Sequence, residues 1–115
     1  MINKGRVKKK LTRMFKEYRR VLFRGSDSIL YEEAMELYDN GQAVIIDVRD
    51  EEEYEQWHIG SAINIPVYDI SRKISDVVFN KSKIIVVYCK TGKRSKMAKK
   101  ILEEQGYNNV YILYL

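Results

Sequence analysis

Ile84-Ile85-Val86-Val87-Tyr88, followed at once by Cys89-Lys90-Thr91-Gly92-Lys93-Arg94-Ser95, joins five apolar, mostly β-branched positions to a basic turn with one glycine. A helical pattern follows, with Met97, Ala98, Ile101 and Leu102 spaced at three and four residues. The order predicts a strand over 84–88, a tight turn, and a helix over 93–105 closed by Gly106. It also places a thiol at the carboxyl end of a strand, facing a helix N-terminus. A thiolate can be made and used at such a place.

Outward from this segment, the same alternation repeats. Ala43-Val44-Ile45-Ile46-Asp47-Val48 is a second continuous apolar run, which suits a strand buried on both faces of a parallel sheet. Ala62–Ile65 reads as a short strand stopped by Pro66, and Val110–Leu113 as a last strand. Helices are expected over Tyr31–Tyr38, with Ala34, Leu37 and Tyr38 on one side and Asn40-Gly41 ending it, over Glu51–Trp57 with an acidic first turn, and over Tyr68–Val77. Strands alternating with helices imply an α/β domain with a mostly parallel central sheet covered by helices on both faces. Ligands in such sheets bind beyond the carboxyl ends of strands. Of the loops after Val48 and Tyr88, only the second carries a nucleophile.

The chain has 115 residues, enough for one packed domain. Its net charge of +5 is unevenly spread. Residues 1–25 hold ten Lys and Arg against one Glu, a balance of +9, and the remainder holds eleven against fifteen acidic residues, −4. The basicity therefore belongs to an N-terminal arm, and specific nucleic-acid binding does not follow from the average. Within the arm, residues 7–22 read as an amphipathic helix, with Val7, Leu11, Met14, Phe15, Tyr18, Val21 and Leu22 on one side. Three roles fit it, in this order: packing on its own domain, lying on a membrane surface, or meeting RNA or an acidic partner. Gly25-Ser26-Asp27-Ser28 reads as a linker or cap.

One Cys and one His exclude a disulfide framework and a four-ligand protein zinc site. No metal and no cofactor are expected. A lone exposed thiol, no apolar run long enough to span a bilayer and no signal-peptide core point to a cytoplasmic protein.

The chemistry of the 89–95 turn follows from its residue types. An ordinary Cys is mostly protonated at neutral pH. Backbone N–H groups of the turn and helix start can converge on the sulfur. Gly92 permits the φ > 0 that lets them do so. Lys90, Lys93 and Arg94 add positive charge, while Thr91 and Ser95 offer hydroxyl donors. A sulfur anion so held can attack a sulfur donor and keep the transferred atom as a persulfide. The plainer reading, a buried core thiol that packs as a small hydrophobe, fits poorly with Lys-Thr-Gly-Lys-Arg-Ser directly after it.

These residues resemble those of the single-domain rhodaneses, a sulfurtransferase family. The likeness runs through Ile45-Ile46-Asp47-Val48-Arg49, Glu53-Tyr54, His58-Ile59, Ala62-Ile63-Asn64-Ile65-Pro66, the strand and turn of Cys89, Ala98, Leu102 and Gly106-Tyr107-Asn109-Val110-Tyr111. It covers about residues 28–113 and suggests a division into an arm, 1–25, and a rhodanese-like domain, 26–115. The resemblance implies that Cys89 carries a persulfide and that Lys90 to Ser95 bind the sulfane sulfur and its oxyanion. It implies transfer from a small donor such as thiosulfate, or from another persulfide, to a thiol, an acceptor protein or cyanide. Where the family often has Gly before the His and Pro-Gly after the Ile, this chain has Trp57, Gly60 and Ser61. The family also usually continues past the last strand through a Gly-Gly turn into a further helix, whereas here Tyr114-Leu115 stand at that point. The helix of residues 7–22 is expected to cover the apolar surface involved.

Two other classes stand beside sulfur transfer. Cys-dependent phosphatases and arsenate reductases have a related fold but five residues between Cys and Arg, against four here, which narrows the cradle. A sulfur-carrier or interaction module would keep Cys89 without turning over small donors. Asp47 and Arg49 are expected to form a structural ion pair at a strand end, and His58 to organise its loop by a hydrogen bond. Trp57 and the tyrosines are read as packing residues, and Asp50–Glu53 as a solvated helix start.

Overall fold

Five short parallel strands form one sheet in the order β1-β5-β4-β2-β3: β1 (Ser28–Ile29), β2 (Ala43–Asp47), β3 (Ile63–Asn64), β4 (Ile84–Tyr88) and β5 (Val110–Leu113). The computed structural model describes residues 27–115. The arm of residues 1–25 and its expected helix lie outside them. Four helices connect the strands: α1 (Tyr31–Asp39), α2 (Glu51–Gln56), α3 (Ile70–Val77) and α4 (Lys93–Glu104). Among the described residues, no helix is long and apolar enough to cross a membrane.

The two unbroken apolar runs become the two central strands. Every residue of β4 is buried, and β2 is buried except for Val44. Period-two alternation then sorts their side chains between two cores. Ile46, Ile85, Val87 and Cys89 face one side, with Ile70 and Ile74 of α3 and Ala98 and Leu102 of α4. Ile45, Val86 and Tyr88 face the other, with Ala34 of α1. Helices thus cover both faces, as the pattern demands. Burying a Val or Ile side chain contributes about 1.5–3 kcal/mol, so β4 is firmly anchored beneath the residue that follows it.

The sheet register aligns the strand ends. Ile29 pairs with Leu113, Leu113 with Tyr88, Tyr88 with Asp47 and Asp47 with Asn64. The chain runs outward from β2 to β3, then returns to the other side of β2 to lay down β4. This reversal opens a crevice between the loops after β2 and β4, where open α/β sheets bind ligands.

Four details differ from the sequence reading. Ser28 lies in β1 rather than in a linker: a two-residue strand leaves no periodic signal, yet Ile112 N donates to Asp27 O at 2.7 Å and seals it to β5. The strand expected over Ala62–Ile65 shrinks to two residues, because Ala62 N is turned back to Ile59 O, and Ile65, though it donates to Asp47 O, meets Pro66. The helix expected over Tyr68–Val77 begins as a 3₁₀ turn, Val67–Asp69, and becomes α-helical at Ile70. Tyr38, read on one side of α1 with Ala34 and Leu37, is exposed while Ala34 is buried.

Candidate active site

Cys89 takes its orientation from the alternation of β4, one step beyond Tyr88, and faces α3 and α4. The chain then turns through Gly92, which has φ +90° and immediately precedes α4. That left-handed conformation turns the Gly92 N–H back toward the sulfur, which it reaches at 3.1 Å. The Ser95 N–H also donates to Cys89 Sγ, at 3.4 Å. Ser95 begins a buried stripe of α4 that continues through Ala98, Lys99 and Leu102. Helical spacing therefore puts its hydroxyl on the sheet side, 3.5 Å from the sulfur. In the thiol form the S–H donates to Ser95 Oγ, and that hydroxyl donates to Gly92 O at 3.0 Å. After ionisation the same hydroxyl can rotate to donate to the sulfur.

Cys89 is only 1% exposed, against the expectation of an exposed thiol. Burial pushes its pKa up. The Ser95 hydroxyl and the amides of Ser95, Gly92 and Thr91 outweigh that penalty, and the thiol sits below its ordinary value. The burial is that of the plainer core-thiol reading, which the sequence disfavoured. Cys89 belongs to the core, and it is also the focus of a donor cradle.

The expected binding residues divide. Lys90, Thr91 and Lys93 are exposed around the turn, Gly92 and Ser95 are buried against the sulfur, and Arg94 is partly buried. Arg94 is held in a forked ion pair, Nη1 to Glu53 Oε2 at 2.6 Å and Nη2 to Glu53 Oε1 at 3.1 Å, with Asp50 Oδ1 at 3.9 Å. Its guanidinium pKa is raised, first by the Glu53 hydrogen bond, with the nearby Cys89 charge adding to it.

Glu53 is where the sequence reading fell short. The sequence reads as a solvated helix start there, whereas in the structure Glu53 links two elements. Its carboxylate accepts from the Asp50 N–H to cap α2 and grips Arg94 at the same time. Those bonds, Arg94 foremost, hold its pKa at about 2. No periodicity marks such a residue. The sequence signals are its place third in a helix that opens at the crevice and its part in the family likeness.

Asp47 and Arg49 form the ion pair that was expected. Arg49 Nη2 meets Asp47 Oδ2 at 2.7 Å, Nε meets both carboxylate oxygens, and the Arg49 N–H donates to Asp47 Oδ1 at 2.9 Å. The Asp47 hydrogen bond raises the Arg49 pKa against the opposing effect of burial. Arg49 Nη2 also donates to Trp57 O at 2.5 Å, and its guanidinium lies 5.8 Å from the centroids of both Trp57 and Tyr88. Asn64 Nδ2 donates to the carbonyls of Asp47 and Arg49, both at 3.0 Å. Together these fix the loop after β2.

His58 stacks on Tyr54, centroids 3.6 Å apart, and its Nδ1 meets Tyr54 O at 2.8 Å. Tyr54 Oη in turn donates to Ala62 O at 2.8 Å. This is the loop-organising geometry expected of His58. Tyr88, beneath the crevice, accepts the Ile59 N–H at 3.0 Å, and burial pushes its phenol pKa up, so it stays protonated.

Comparison with protein-family models matches the Rhodanese-like domain over residues 30–114. Thiosulfate sulfurtransferase PspE of Escherichia coli K12 is 45% identical over 65 residues, spanning 56% of this chain and 62% of PspE. This chain therefore spans less than two thirds of that relative. Thiosulfate sulfurtransferase GlpE of Coxiella burnetii is 36% identical over 81 residues, 70% of this chain and 74% of GlpE. A solved structure described as rhodanese with anions from E. coli superposes with a TM-score of 0.59 at 41% identity, over 61% of this chain and 82% of the other.

Proposed function

The chain belongs to the rhodanese-like domain family, and from that premise we propose that it is a sulfurtransferase working through a persulfide on Cys89. One observation carries the reading: the sulfur at the end of β4 is met by the Gly92 and Ser95 amides and the Ser95 hydroxyl. These donors favour the thiolate and suit the persulfide anion that replaces it.

The transfer has two displacements. The Cys89 thiolate attacks the outer sulfur of thiosulfate. A new S–S bond forms, the old one breaks, and sulfite leaves with the bonding pair. A thiolate or cyanide then attacks the terminal sulfur of the persulfide, and Cys89 departs again as a thiolate. Charge balances in each step and no outside oxidant or reductant is required. The partners are a small sulfur-bearing anion and a thiol acceptor, free or on a protein. No cofactor takes part.

The enclosure of Cys89 favours a donor whose reacting atom is terminal. A sulfane sulfur meets this condition; a phosphorus or arsenic ringed by oxygens does not. The four residues between Cys89 and Arg94 argue the same way. Lys90 and Lys93, exposed beside the turn, are placed to attract the anion, while Arg94, neutralised by Glu53, serves first to hold α2 against α4.

The test is thiocyanate formation from thiosulfate and cyanide. The wild-type chain turns over and Cys89→Ser does not. Transfer that survives in Cys89→Ser, or phosphatase turnover with no transfer in the wild type, overturns the proposal.

A further inference from the structure

We propose that Tyr114 is a positioning residue for the Cys89 turn: its ring braces Gly92 from outside and keeps the Gly92 N–H aimed at the sulfur. Two independent observations place it there. First, Tyr88 and Leu113 are paired and end their neighbouring strands, so Cys89 and Tyr114 are the next residues beyond them, at the same edge of the sheet. Leu113 is buried, so the strand that delivers Tyr114 is anchored. Second, the ring lies on the glycine itself. A Cβ added to Gly92 would come 2.5 Å from Tyr114 Cε1 and 3.1 Å from Cδ1. The three described glycines with positive φ are Gly41, Gly92 and Gly106, and a Cβ at either of the other two would meet nothing within 4 Å.

The contrast has a physical reason. A glycine at φ +90° has no side chain to resist rotation, and an unbraced peptide there is free to swing its N–H away. At Gly41 and Gly106 such freedom costs a helix end some order. At Gly92 it costs Cys89 a hydrogen bond. Tyr114 is half-exposed, with part of its ring against the turn and the rest in solvent, which leaves it able to act as a wall without being part of the core. Its role is through Gly92; it makes no bond to the sulfur. Among the described residues, the charged groups beside the turn are Arg94 of α4, itself held by Glu53 and Asp50 of the helix and loop opposite, and the exposed Lys90 and Lys93.

The inference rests on Cys89 being the reacting nucleophile, and its test does not need sulfur transfer. The rate of Cys89 alkylation by iodoacetamide, followed against pH on the full chain, reports thiol ionisation directly. Tyr114→Ala is expected to move the inflection up by about one pH unit, so that below it alkylation is about tenfold slower than in the wild type. Tyr114→Val, which keeps β-propensity, gives the same shift and stands in if the Ala variant folds poorly. Tyr114→Phe keeps the ring and the wild-type profile. An unchanged inflection in Tyr114→Ala or Tyr114→Val overturns the proposal, even if melting drops or alkylation speeds up at every pH. A shift in Tyr114→Phe equal to that of Tyr114→Ala overturns it as well, since the hydroxyl and not the ring would then matter.

Discussion

Cys89 is held between two opposed forces, and the donors prevail. A buried thiol resists ionising, and this one is almost wholly buried. The amides of Thr91, Gly92 and Ser95 and the Ser95 hydroxyl reverse that resistance, and among the described residues no cationic side chain is hydrogen-bonded to the sulfur. Ser95 carries two of those four contributions, one from its backbone and one from its side chain. Replacing Ser95 by Ala keeps the amide and removes the hydroxyl, which also leaves Gly92 O without that donor. A hydrogen bond to a charged group is worth about 1.5–3 kcal/mol, so transfer is expected to slow about tenfold or more, with kcat affected more than KM. The sign in pH also follows. A thiol whose pKa is lowered by folding contributes stability above its ordinary value and loses it as pH falls through the folded one. Ser95→Ala therefore moves the alkylation profile toward higher pH. A variant that transfers sulfur at the wild-type rate with the wild-type profile contradicts the role given to this hydroxyl.

At the scale of elements, β4 and the start of α4 were legible because hydrophobic run, turn and helix each leave their own signal in adjacent residues. The boundaries of β4 and β5 match the apolar runs residue for residue. What escaped were pairings between elements far apart in sequence. Glu53 and Arg94 are separated by 41 residues, and nothing local to either tells that one holds the other. The two-residue β1 owes its existence to the edge of β5 that it covers, and the contact of Tyr114 with Gly92 exists only once β5 lies beside β4. The Asp47–Arg49 pair could be read, because its partners are two residues apart at a strand end. It is buried, and Asp47 is fully so. Removing one member of such a pair strands the other charge, which costs about 3–5 kcal/mol. Asp47→Ala is accordingly expected to lower the unfolding free energy by about that amount in a denaturant titration. A loss below about 1 kcal/mol, the range of an exposed pair, would show that the loop after β2 is held by other means.

Over the whole molecule, every feature of the site is a consequence of one topological reversal. The step from β3 back to β4 puts the loops after β2 and β4 side by side. The first supplies Arg49, Asp50 and the cap of α2, and the second supplies Cys89 and its donors. The ion pair of Glu53 with Arg94 closes the crevice between them. The sheet is fully covered where it supports Cys89, so the thiol stands on a well-packed part of the fold. The sulfur is thereby fixed in place and ionised more readily than its burial alone allows. The proposed function requires one covalent intermediate, a persulfide on Cys89. Its most direct test is the intact mass of the protein after incubation with thiosulfate and removal of small molecules. The expected result is one added sulfur atom, located on Cys89, discharged by cyanide and absent from Cys89→Ala. A wild-type chain that gains no sulfur, or one whose added sulfur persists in Cys89→Ala, would contradict the account.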